Sequence, residues 1–201
     1  SRANFEPNAY DKEVAYISEK RDIAAAALQY VQRGDTIALD TGTTIYEFAK
    51  KLTDIEDLTI ITNDLQIAIY LERYSSASII FIGGSIRRDF HCTVGAKAIS
   101  DLDGLNVDKA FMASNSVSLT KGLTTPNIEM ARIKEKVIEI ADQVYLLADS
   151  NKLGKTSFVR FASIEDVDIL VTDAGISPHT LAKFENINVT VTTVNRNGAE
   201  E

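Results

Sequence analysis

The sequence predicts an α/β fold, a mostly parallel sheet with helices on both faces. Three observations carry this. Apolar runs of strand length recur along the chain: TIALD, LTIIT, SIIFIGG, KAFMAS, VYLLAD, DILVTD and NVTVTTV. Several are separated by segments of helical period, the alternation expected of βαβ units. The runs are also apolar nearly throughout, as strands covered on both sides require. With 201 residues, 45% of them hydrophobic, the chain can bury a substantial core, and one large domain is expected.

Taken in order, Ser1 to Asp11 has no hydrophobic period and no initiator Met, as a fragment of a longer protein would. A long helix is expected from Lys12 to Gln32, where Ala15, Ile23, Ala26, Ala27, Tyr30 and Val31 form much of a stripe before Gly34 stops it. TIALD is the first strand. The helix after it is placed at Tyr46 to Leu52, with Ile45, Phe48, Ala49 and Leu52 at the i, i+3, i+4, i+7 spacing that packs on a sheet. Further helices are expected at Leu65 to Tyr74, Ala96 to Asp101, Asn127 to Ala141 and Pro178 to Phe184, with Pro126 and Pro178 where helices can begin. The closing NRNGAEE is expected to fray.

Charge and motifs exclude several function classes. A formal net charge of -8 and a pI of about 4.9 should repel a phosphate backbone, so these residues are not expected to grip nucleic acid alone. Cys92 is the only cysteine, which excludes an internal disulfide; with no secretory signal and no long apolar span, a soluble cytoplasmic protein without membrane attachment is expected. His91 and Cys92 are adjacent and His179 is remote, so no metal is expected. There is no GxSxG elbow, Walker loop or GxGxxG fingerprint, and no cofactor is expected.

The strand ends carry more information. Each apolar run gives way to small or polar residues: Asp40 and Thr41, Thr62 and Asn63, Gly83 and Gly84, Ser114 and Asn115, Asp149 and Ser150, Thr172 and Asp173. In an open parallel sheet these ends share an edge, and ligands collect there at a topological switch point. In DTGTT, Gly42 with Thr43 and Thr44 offers backbone N–H groups and hydroxyls at a helix start, which suits a phosphate; the same residues could serve only as cap and turn. Asp40 would repel a phosphate and could accept from sugar hydroxyls or brace the loop. Lys152, in LADSNKLGK, is the cation best placed to pair with a phosphate on this rim. Gly83 and Gly84 bring backbone close to the sheet edge, with Arg87 and Arg88 following, and Glu129 and Lys134 lie on the helix after Gly122, where either could face the rim.

The ordered set DTGTT, TND, FIGGSIRRDFHCTVG, KAFMASNSVSLTKGLTT, LLADSNKLGK and DVDILVTD resembles the C-terminal effector-sensing domain of DeoR-type bacterial transcription regulators, from about Lys20 to Val194. The resemblance implies a fold related to ribose-5-phosphate isomerase and the coenzyme A transferases, whose strand ends bind a phosphorylated sugar or sugar derivative. It implies a winged helix-turn-helix before Ser1, through which alone DNA would be bound, and a homodimer or homotetramer. Residues 1–19 would then be a linker and helix, 20–195 the sensing domain and 196–201 a tail. Binding of the metabolite would change operator affinity at sugar-metabolism genes, most simply as a repressor.

Carried over by residue, the phosphate loop is Gly42, Thr43 and Thr44 with Lys152, and no catalytic residue is assigned. The sugar portion falls to Asp40, Thr62, Asn63, Gly83, Gly84, Asn115, Glu129 and Asp149. The chain departs from the family in ASNSVS, Ala113 to Ser118, and at Asn151, where a serine is frequent. The alternative is a sugar-phosphate isomerase on the same fold, which needs an acid to move a proton between carbons. The stretch matching the isomerases' aspartate-rich strand end, Phe111 to Ser116, has no carboxylate, which favours binding without turnover.

Overall fold

The computed structural model describes residues 4–194, so the expected tail from residue 196 lies outside the described residues. In chain order the strands are β1 (Thr36–Leu39), β2 (Thr59–Thr62), β3 (Ser78–Phe81), β4 (Ser85–Arg87), β5 (Cys92–Val94), β6 (Val107–Met112), β7 (Ser116–Ser118), β8 (Gly122–Thr125), β9 (Ala141–Leu147), β10 (Val159–Ala162), β11 (Ile169–Thr172) and β12 (Thr190–Thr193). The helices are α1 (Ala9–Val14), α2 (Ile17–Ala27), α3 (Thr43–Ala49), α4 (Leu65–Tyr74), α5 (Ala96–Leu102), α6 (Ile128–Glu139) and α7 (Pro178–Glu185).

The apolar runs all enter one seven-stranded sheet, ordered β12-β11-β9-β6-β1-β2-β3, in which every neighbouring pair is parallel. Side chains alternate across it into two cores. Ile37, Leu39, Ile60, Phe111, Tyr145 and Val171 join α2, α3 and α4 on one face, while Ala38, Ile61, Met112, Leu146 and Leu170 join α5, α6 and α7 on the other. Helices therefore cover both faces. Among the described residues no helix is long and apolar enough to cross a membrane.

Winding proceeds outward from β1 through β2 to β3, then resumes at β6 on the other side of β1. The strand order reverses between β1 and β6, and a crevice opens at their carboxyl ends.

The helix expected at Tyr46 to Leu52 is α3, which starts and ends three residues earlier, and two larger features differ from expectation. The helix placed at Lys12 to Gln32 is broken: Tyr16 adopts φ 54, separating α1 from α2, and a 3-10 turn follows at Leu28–Tyr30. The cause is visible in burial. Ile23, Ala24 and Ala27 anchor α2 on the sheet, whereas α1 has no buried residue and lies over the strand ends instead. Secondly, two small antiparallel sheets, β10-β8-β7 and β4-β5, flank the crevice. Their strands run only three or four residues, too short for a periodic signal. Their glycines have a packing role. A Cβ on Gly122, at φ +77, would stand 2.2 Å from the Ala162 carbonyl oxygen, and one on Gly84 would stand 2.6 Å from that of Val94.

Candidate functional site

A cavity of about 90 Å3 occupies the crevice. Thr41 to Thr44 line it from the end of β1, Ala113 to Asn115 from the end of β6, Asp64 from beyond β2, Met130 and Lys134 from α6, and Lys152 from beyond β9. The N-terminal stretch closes it with Glu6, Ala9, Lys12 and Lys20.

The loop after β1 is held by carboxylates. The Thr41 N–H donates to Asp40 Oδ1 at 2.8 Å and the Gly42 N–H to Asp64 Oδ2 at 3.1 Å. Asp64 Oδ1 meanwhile accepts the Ile67 N–H at 3.0 Å and caps α4. Burial pushes the Asp64 carboxyl up to about 6, against the pull of these backbone bonds. Gly42, at φ 108, precedes α3 without a side-chain cap, so the N–H groups of Thr43, Thr44 and Ile45 have no hydrogen-bond partner among the described residues.

Five cations converge on this space: Lys12, Lys20, Lys134, Lys152 and Arg87. Lys134 is buried against Asp40 and also donates to the Ala113 carbonyl at 3.0 Å. Lys20 Nζ donates to the Lys12 carbonyl at 2.5 Å. Burial first, and then the charges of Lys152 and Lys12, bring the Lys20 pKa down to about 8 against the opposing pull of Asp149 and Glu47. Lys12 is also lowered, first by burial, with Lys152 and Lys134 adding to it and Glu6 opposing. The Lys152 ammonium has no hydrogen-bond or ion-pair partner among the described residues.

The residues singled out from the sequence separate into three groups. Gly42, Thr43, Thr44, Lys152 and Asn115 stand on the cavity wall. Asn115 accepts from the Thr125 hydroxyl at 2.9 Å and donates to Glu6 at 3.3 Å. Asp40, Thr62, Asn63 and Asp149 lie behind the wall, buried, and brace it. Asp40 Oδ2 takes the Ala113 N–H at 3.0 Å as well as Lys134, which leaves the carboxylate serving the protein rather than a sugar. Thr62 accepts the Asp64 N–H at 3.1 Å, and Asn63 donates to the Thr93 carbonyl at 2.8 Å. Asp149 Oδ1 accepts the Asn151 N–H at 3.1 Å, capping the 3-10 turn that carries Lys152, while its buried Oδ2 has no hydrogen-bond partner among the described residues.

Gly83, Gly84 and Glu129 are outside the cavity. Gly84 permits the close approach to Val94, and Gly83 faces Lys97 and Asp101. Glu129 is exposed in the first turn of α6. Met130 and Lys134, four apart, share the inward face, and Glu129 is turned from Met130 by about 100°.

Glu6, Lys12 and Lys20 were not among the sequence's candidates. Lys20 had a readable signal, since it lies three and four residues before Ile23 and Ala24 on the buried face of α2. Glu6 and Lys12 had none. Cys92 also lines the cavity, its thiol pushed up to about 12 by burial. Among the described residues no group of three His, Cys, Asp or Glu side chains is placed to hold a metal ion.

Comparisons with known proteins bear on the family and the fold. A family model described as the DeoR C terminal sensor domain matches residues 16–174. The chain is 37% identical over 180 residues to the HTH-type transcriptional regulator GlpR of Haloferax volcanii, covering 90% of this chain and 70% of that protein. Among solved structures, a chain of the tetrameric eIF2B-beta2-delta2 complex from C. thermophilum aligns with a TM-score of 0.56 at 15% identity, over 86% of this chain and 60% of that one. Ribose 5-phosphate isomerase A from Methanocaldococcus jannaschii aligns with a TM-score of 0.49 at 20% identity, over 67% of this chain and 53% of the isomerase; the chain spans about half the isomerase's length.

Proposed function

This chain belongs to the DeoR C-terminal sensor-domain family, and we propose that its cavity binds a phosphorylated sugar or sugar derivative, which modulates DNA binding by a winged helix-turn-helix elsewhere in the whole regulator. The convergence of five cationic side chains on one cavity at the switch point carries this reading. Burial first and the neighbouring lysines second lower the Lys12 and Lys20 pKa values, and a bound dianion offsets both the lost solvation and the repulsion. The phosphate is assigned to Lys152 and to the N–H groups of Thr43 and Thr44, which have no partner among the described residues, and the sugar is oriented by Asn115 and the neighbouring wall.

Turnover is not part of the proposal. The carboxylates on the wall are Asp64 and Glu6: Asp64 gives both oxygens to backbone N–H groups, and Glu6 is ion-paired. Neither is free to move a proton. The relatives, named as transcriptional regulators, point the same way.

A thermal-shift panel of sugar phosphates against the free sugars tests the reading. A ligand at a hundred times its dissociation constant adds about 2.7 kcal/mol. Absence of any shift with every phosphorylated compound would sink it. Incubating the stabilising compound with the protein and following it by NMR should show no isomer.

A further inference from the structure

Glu6 occupies the anion site of its own protein. Its Oε1 accepts from Lys12 Nζ at 2.6 Å and from Asn115 Nδ2 at 3.3 Å, and its Oε2 from Arg87 Nη2 at 2.7 Å. All three donors line the cavity, and the Glu6 side chain is 9% exposed. We infer that Glu6 is a tethered stand-in for the ligand's anionic group, so that the docked N-terminal segment and an anion in the cavity exclude each other. This rests on the anion-binding reading above.

Three observations support the exclusion. First, the cavity measures about 90 Å3 with Glu6 and Lys12 in place, whereas sites for small organic ligands run to about 300 Å3 or more. Room for a sugar phosphate appears when the segment leaves. Second, Lys12 is shared. It is paired with Glu6 yet close enough to Lys152 and Lys134 to be repelled by both, so an anion drawn to Lys152 competes for Lys12 as well.

Third, the segment has little else to hold it. Phe5, Tyr10 and Val14 are exposed and α1 buries no residue. Besides the Glu6 contacts, its docking includes the Ala9 N–H on the Asp89 carbonyl at 3.1 Å, the Tyr10 ring edge on His91, and Lys12 over the Phe90 ring. Lys12 also gives its carbonyl to Lys20 and, at 3.5 Å, to the Thr43 hydroxyl, so seating the segment consumes donors of the phosphate loop. A ligand that takes those donors weakens the Glu6 contacts and the ties of the Lys12 carbonyl together. An N-terminal segment released by effector would transmit occupancy to whatever it is joined to, since only a difference in affinity between two arrangements can shift their populations.

The chain has no tryptophan, so Tyr10→Trp supplies a single fluorescent reporter of docking. Inorganic phosphate is titrated by calorimetry and fluorescence into Tyr10→Trp and into Tyr10→Trp with Glu6→Gln. In the first, phosphate should change the emission intensity as the segment undocks and the ring leaves His91. In the second, the emission should have the undocked intensity without phosphate, and phosphate should bind on the order of tenfold tighter, because the competent state no longer has to be won from Glu6. Equal dissociation constants in the two proteins, or weaker binding with Glu6→Gln, overturn the exclusion while leaving the anion site standing. No binding heat in either protein removes the anion-site reading together with the exclusion.

Discussion

The Lys134 ammonium and the Asp40 carboxylate form a buried ion pair beneath the cavity, 4% and 2% exposed, between residues 94 apart in the chain. The same carboxylate receives the N–H groups of Thr41 and Ala113, so one side chain ties the end of β1 to the end of β6 across the switch point. The crevice is held open in this shape by the pair, and four consequences of the surrounding geometry can be measured.

Lys134→Met should destabilise the fold by about 3–5 kcal/mol, because it leaves the Asp40 charge buried without a counterion. Urea unfolding reads this directly. Adding Asp40→Asn should recover part of the loss, since the remaining groups are then neutral. A loss below about 1 kcal/mol in the single variant would mean that Asp40 is satisfied by backbone N–H groups alone.

Lys152→Ala should separate binding from stability. The ammonium has no hydrogen-bond or ion-pair partner among the described residues, so the unfolding free energy should change by no more than about 0.5 kcal/mol. Losing a charge-assisted bond to the ligand, about 1.5–3 kcal/mol, should weaken a sugar phosphate by roughly ten- to a hundredfold while leaving any binding of the free sugar alone. Calorimetry with both compounds distinguishes this from a general collapse of the cavity.

Sulfate, whose charge is constant from pH 7 to 9.5, should bind more weakly as pH rises through about 8. Burial and the neighbouring lysines bring Lys20 to about 8 from its ordinary 10.5, so its positive charge is present below that pH and lost above it. For stability the sign is the reverse. Between about 8 and 10.5 the unfolded lysine holds a proton that the folded one has released, so this group's contribution rises with pH over that window. Lys20→Met should flatten both profiles.

Gly122→Ala and Gly42→Ala should behave differently although both glycines have positive φ. At Gly122 the methyl meets the Ala162 carbonyl oxygen, and strain plus clash should exceed about 3 kcal/mol. At Gly42, with φ 108 and ψ 175, nothing lies within 4 Å, so the cost is only the strain of a backbone conformation essentially confined to glycine, about 1–3 kcal/mol. Thermal melts of the two variants give the comparison, and similar losses would contradict it.

Much of the scaffold can be read in the chain. Strands such as TIALD and DILVTD are continuous apolar runs because both faces are covered, and α4 is found from Leu65 to Tyr74 because Asp64 caps it and its apolar face is regular. Thr43, Thr44 and Lys152 could be placed on the wall because strand ends in a parallel sheet share an edge whatever the connections between them. Glu129 and Lys134 shared one helix and one description, and helix phase turned Lys134 inward and Glu129 out.

Local order, then, is enough for the α/β class, the strand-end rim and the family resemblance, since each depends on short-range period and residue type. The site's charge balance is of another kind. Asp40 became a brace instead of a ligand contact because α6 brings Lys134 to it from 94 residues away. Glu6 became an anion in the cavity because the break at Tyr16 folds α1 over the strand ends, where Arg87 lies 81 residues distant in sequence. Such pairings are made by chain reversal and burial, which have no periodic trace in the residues themselves.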